Sequence, residues 1–100
     1  MTDLAKLAHL KEILFGMERD LGIEGLGQVQ KNIVYAASIL SEAGAEIETD
    51  DIRRHQLLGG VGRSTFFRAL KDVVDLGYLK HADGAQRSRY HLAAPALPLS

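Results

Sequence analysis

The chain has 100 residues, enough for one hydrophobic core and too few for two independent ones. Hydrophobic residues make up 46% and charged residues 25%, the balance of an ordinary globular protein, and the formal net charge of -1 gives no overall sign of a polyanionic partner. No cysteine is present, which excludes disulfides, thiolate metal ligands and thiol catalysis.

At the start of the chain Asp3, Lys6, Lys11 and Glu12 interrupt any apolar run. No stretch approaches the roughly 18 apolar residues of a membrane span, and a signal-peptide core is missing. The expectation is a cytoplasmic protein without a membrane partner. From Thr2 to about Leu21, the residues Leu7, Leu10, Leu14, Met17 and Leu21 recur at steps of three and four, the pattern of a helix with a narrow apolar seam. Such a seam must be covered, and two covers are open to it: the chain's own core, or a second copy, for which these five residues would be the dimerisation element.

The segment Gly22 to Gly27 holds three glycines, each costing about 1 kcal/mol relative to alanine inside a helix, and reads as a hinge. A second helix is expected from about Gln28 to Ala43, with Val29, Ile33, Ala36, Ala37 and Leu40 on one face and Gly44 as a left-handed cap. After an extended piece around Ile47, Thr49 and Asp50 offer an N-cap, and Asp50 and Asp51 suit the positive end of a third helix running to about Leu58. Gly59-Gly60-Val61-Gly62 breaks the chain, and Arg63 to Leu76 resumes helical periodicity through Phe66, Leu70 and Val73, ending at Gly77. Tyr78 to Ala82 and Arg89 to Leu92 are expected as two strands joined through a turn at Asp83-Gly84. The organisation is thus an N-terminal helix and hinge over 1-27, a folded core over 28-92, and a C-terminal tail over 93-100 containing Pro95 and Pro98.

Charge is unevenly divided. Residues 1-50 carry four basic groups against nine acidic ones, whereas residues 51-100 carry eight against four. All eight of the latter fall between Arg53 and Arg89, on the helix-turn-helix and hairpin segments, which points to one face meeting a polyanion.

The order helix, strand, helix, turn, helix, hairpin, with Gly62-Arg63-Ser64-Thr65-Phe66-Phe67-Arg68-Ala69-Leu70 running through Leu76-Gly77-Tyr78-Leu79, resembles the winged helix-turn-helix family, and within it MarR-like transcriptional regulators. The resemblance spans about Gln28 to Leu92. It implies a mainly α fold with a small β-hairpin wing and an extra N-terminal helix, binding double-stranded DNA as a homodimer that pairs through terminal helices. The sequence departs from the family pattern in the turn, which holds one residue more than usual and has glycine where a small hydroxyl cap is common.

Physical reasoning agrees with that implication. A helix of about 14 residues is roughly 21 Å long and fits a major groove about 12 Å wide. Arg63 and Arg68 suit guanine edges or phosphates, and Ser64 and Thr65 bring hydroxyls to a helix N-terminus that favours phosphate. Lys71 lies on a similar face, Arg87 and Arg89 would flank or enter the minor groove from the wing, and Arg53 and Arg54 would position the preceding helix on the backbone. Phe67 falls beside the inward face. It would either touch a thymine methyl or a partner subunit, or pack as peripheral core under the wing.

Other chemistries find less support. Gly59 to Ser64 lacks the first glycine and the lysine of a nucleotide-binding loop. His9, His55, His81 and His91 form no pair at ligand spacing, so no metal is expected, and no nucleophile elbow or paired-carboxylate motif marks an enzyme or a cofactor site. The main alternative is a winged-helix protein-interaction module without DNA binding. An effector pocket, if there is one, would lie between the N-terminal helix and the core.

Overall fold

A computed structural model describes residues 3-42, 46-82 and 89-93. The chain is mainly helical with a small three-stranded antiparallel sheet: α1 (Leu4–Asp20), α2 (Gln28–Ser41), β1 (Ile47–Glu48), α3 (Thr49–Arg54), α4 (Arg63–Asp75), β2 (Leu79–His81) and β3 (Arg89–Leu92). The expected cap at Gly44, the Asp83-Gly84 turn and the tail from Ala94 onward lie outside the described residues.

The core forms where the apolar faces of the last three helices meet the sheet. Ile33, Ala36 and Ala37 of α2 pack with Ile52 of α3, Phe66, Leu70 and Val73 of α4, and Ile47, Leu79 and Tyr90 of the strands. Val29 and Leu40 cover its edge, as the spacing on α2 predicts. β3 is the central strand, flanked by β1 through Ile47↔Tyr90 and by β2 through Leu79↔Leu92. The extended piece at Ile47 therefore completes the sheet, which the sequence reading limited to a hairpin.

The third helix is shorter than expected. His55 adopts an extended conformation (φ -64°, ψ 143°) that ends α3 at Arg54. Its ring nitrogen Nδ1 then accepts the Leu57 N–H at 3.1 Å, starting a separate 3-10 turn over Gln56–Leu58. Glu48, rather than Thr49 or Asp50, stands at the N-cap, and Asp50 and Asp51 occupy the first turn where the helix dipole favours them. Gly60 at φ +82° turns the chain into α4.

Both α1 and α4 close with the same device. Gly22 (φ +78°) and Gly77 (φ +91°) take the left-handed position, and the following N–H groups of Ile23 and Tyr78 bond back to Glu18 and Val73 at 2.9 and 3.1 Å. Ile23 is buried, which fixes the direction in which α1 leaves the core.

The five seam residues of α1 are not covered by the chain's own core: Leu7, Leu10, Leu14, Met17 and Leu21 are 42% to 56% exposed. The buried residue of α1 is Glu18 instead. Its Oε1 accepts Lys31 Nζ at 3.0 Å and its Oε2 accepts the Tyr35 hydroxyl, so one carboxylate ties α1 to α2. The helix stands away from the core, and the radius of gyration, 14.5 Å, exceeds the roughly 13 Å of a compact 100-residue domain.

Candidate nucleic-acid interface

The N-terminal half of α4 exposes two arginines, Arg63 and Arg68. Gly62 caps the helix in extended conformation and its carbonyl accepts the Phe66 N–H at 2.9 Å, so the first-turn N–H groups of Arg63, Ser64 and Thr65 face outward without a side-chain cap. Phe66, Ala69, Leu70 and Val73 point into the core. At 100° per residue, Ser64, Arg68, Lys71 and Asp75 then form the opposite stripe, and all four are exposed. Of the sequence-predicted contacts, Ser64 and Arg68 lie in this stripe, while Arg63 and Thr65 are exposed on the two sides of the helix.

Lys71 belongs to the same stripe, but its ammonium lies 2.9 Å from Asp75 Oδ2. That carboxylate, by hydrogen bond and by charge, holds the Lys71 ammonium above its ordinary pKa. Asp72 is engaged elsewhere, accepting from Gln30 Nε2 at 3.0 Å and so joining α4 to α2. The cations of α4 that make no ion pair among the described residues, Arg63 and Arg68, are thus in its first two turns.

Phe67 organises that end of the surface. Its ring meets Phe66 edge-on (centroids 5.1 Å apart, planes at 83°), and the guanidinium carbons of Arg63 and Arg53 lie 5.1 and 5.9 Å from its centroid. It is 38% exposed. With Leu70, Val74, His81 and Tyr90 it also lines a cleft of about 350 Å³ between α4 and the sheet, so it sits at the periphery of the core with one side open. The i,i+4 spacing of Arg63 and Phe67 was visible in the sequence. The approach of Arg53 from α3 was not, because it depends on the turn between the two helices.

The other expected contacts are dispersed. Arg54 is exposed on α3 and makes no ion pair among the described residues. Arg89 is half-buried on β3 and its Nη1 lies 3.3 Å from Glu46 Oε1, a pairing between distant segments that local spacing does not reveal. Arg87 lies outside the described residues. A second, smaller cleft of about 160 Å³ lies between α1 and α2, lined by Lys11, Leu14, Phe15, Glu18, Gln28 and Lys31. Among the described residues no group of three histidines or carboxylates is placed to hold a metal ion, and no helix is long and apolar enough to cross a membrane.

Compared with known proteins, the chain matches no family model, no curated protein and no solved structure.

Proposed function

We propose that this chain is a non-enzymatic, cytoplasmic transcriptional regulator that binds double-stranded DNA in a sequence-specific manner through a winged helix-turn-helix. In this reading α4 enters the major groove, α3 crosses the backbone, and the β2-β3 hairpin is the wing. The observation that carries it is the first half of α4. Ser64 and Arg68 are exposed opposite a buried face, Arg63 and Thr65 are exposed at its two sides in the first turn, and the N–H groups there have no side-chain cap. Such a surface offers forked donors to guanine edges and a helix N-terminus to phosphate.

Arg53 and Arg54 supply backbone contacts from α3, and Lys71 is recruited when a phosphate competes with Asp75. That competition is open because an exposed pair is worth only about 0 to 1 kcal/mol. Arg89 contributes less than Arg63 or Arg68, since binding DNA would first have to free it from Glu46.

The apolar cleft beside Phe67 favours a second reading, a protein-interaction module that docks a hydrophobic side chain between α4 and the sheet. Selection from a random duplex library separates the two. The DNA reading expects an enriched motif that is lost in an Arg63→Ala, Arg68→Ala double variant. No retained duplex and no enrichment would overturn it in favour of the interaction module.

A further inference from the structure

The chain between α3 and α4 has little restraint of its own. Gly59-Gly60-Val61-Gly62 holds three glycines in four residues, and glycine leaves the backbone its widest freedom. What fixes the connection stands just before it, on the backbone of Leu57. The Leu57 N–H donates to His55 Nδ1 at 3.1 Å, and the Leu57 carbonyl accepts from Asn32 Nδ2 of α2 at 3.2 Å. Gln28 Nε2 in turn donates to Asn32 Oδ1 at 3.0 Å, which keeps the N–H groups of the Asn32 amide toward the turn. Leu58, the next residue, is buried in the core. A side-chain cap is therefore present here, on the turn before α4, although Gly62 gives α4 itself none.

Of the two bonds on Leu57, one depends on protonation. An imidazole accepts at Nδ1 only while its proton sits on Nε2, whereas the imidazolium carries an N–H at both positions and accepts at neither. Protonated His55 cannot hold Leu57. The elements α2 and α3 pack against this turn. The titratable groups of α2 are Lys31 and Tyr35, both bonded to Glu18, and those of α3 are Asp50, Asp51, Arg53 and Arg54. Arg63, the first charge of α4, lies over the Phe67 ring. Among the described residues no carboxylate forms an ion pair with the His55 ring, so none stands ready to replace the lost bond.

We infer that His55 is a positioning residue: its unprotonated ring sets the angle at which α4 follows α3, and protonation releases that angle. The angle matters because Arg53 of α3 and Arg63 of α4 both lie against one ring, Phe67, at 5.9 and 5.1 Å from its centroid. Opening the turn parts the two cations. The change in the turn stands by itself, and its effect on duplex affinity rests on the DNA reading.

Amide exchange of the full chain at pH about 7.5 and 5.5 spans the interval in which imidazole side chains take up a proton. Both values lie above the range in which Glu18 does so. Corrected for intrinsic rates, protection of the Leu57 amide should fall roughly three- to tenfold at the lower pH, the worth of one capping bond. His55→Asn, whose side-chain oxygen caps without titrating, should keep the protection at both values, and His55→Ala should lack it at both. The same loss of protection in His55→Asn, or equal protection in His55→Ala and wild type, would overturn the inference whether or not the chain binds DNA. Duplex affinity then tests the positioning role. The added charge of an imidazolium would by itself tighten binding to a polyanion, whereas an opened turn loosens it. Wild type should therefore lose affinity at the lower pH relative to His55→Asn, by roughly two- to fivefold for a partly opened turn. Wild type binding as tightly as His55→Asn, or more tightly, would overturn the positioning role. No duplex binding by any variant would instead fail the DNA reading and with it that role, while the exchange data still decide the turn.

Discussion

Phe66 and Phe67 are neighbours with opposite fates, and the difference is one step of 100° around α4. Phe66 is fully buried against α2, α3 and the sheet. Its replacement by alanine should cost about 3 to 5 kcal/mol in urea-monitored unfolding, the range for a large aromatic in a packed core. Phe67→Ala should stay within about 1 kcal/mol of wild type, because its outer side is already open. Each arginine over its ring gains about 0.5 to 1 kcal/mol from the contact. In the DNA reading, Phe67→Ala therefore lowers duplex affinity several-fold through looser seating of Arg53 and Arg63, while Phe67→Tyr retains it. Arg68 has no such seat, and Arg68→Ala should cost about 1 to 3 kcal/mol of binding and relax base preference at one position, read by competition between duplexes. Both phenylalanines were legible as a pair at the boundary of an inward face. What the sequence left open was which side of Phe67 is covered, since that depends on the placement of α3 and the hairpin.

At the level of elements, the joints decide more than the helices. Gly77 holds the left-handed residue that turns α4 into β2, and with no neighbour crowding it, its replacement by alanine pays only the conformational strain. Gly77→Ala should destabilise the fold by about 1 to 2 kcal/mol in the same unfolding assay. The joint between α1 and α2 rests on Glu18. Hydrogen bonds from Tyr35 and then Lys31 hold its carboxyl below the ordinary value of 4.5, so the folded state favours the ionised form. Stabilisation from this tether is complete above that value, declines as pH falls below it, and is gone once pH passes the lower folded pKa. Hydrogen exchange in α1 should keep its intrinsic pH dependence from neutral pH down to about 4.5 and accelerate beyond it only as pH falls further, and Glu18→Gln should abolish the excess.

The periodicity of α2 and α4, the ends at Gly22 and Gly77 and the strand Arg89–Leu92 could all be read from local pattern, because each is set by residues close in sequence. The break of α3 at His55, the pairing of β1 with β3 and the bridge from Arg89 to Glu46 could not. Each depends on groups brought together by the turn or across the sheet. Glu18 escaped notice for the same reason: nothing in α1 alone distinguishes it from the exposed carboxylates beside it.

Across the whole molecule, charge and apolar surface are separated. The acidic half carries the exposed apolar helix α1, and the basic half carries α3, the glycine turn and α4. In the DNA reading it is the basic end that meets the polyanion. A net charge of -1 conceals this separation, which is why composition alone argued against nucleic acid. Whether the α4 end binds duplex DNA is decided by fluorescence anisotropy of a labelled duplex at about 50 and 200 mM salt. Each phosphate contact should contribute about -0.9 to the slope of log affinity against log salt. Binding should weaken steeply with salt, with a shallower slope after Arg53→Ala and Arg54→Ala. No duplex binding at the lower salt, or binding indifferent to salt, would contradict it.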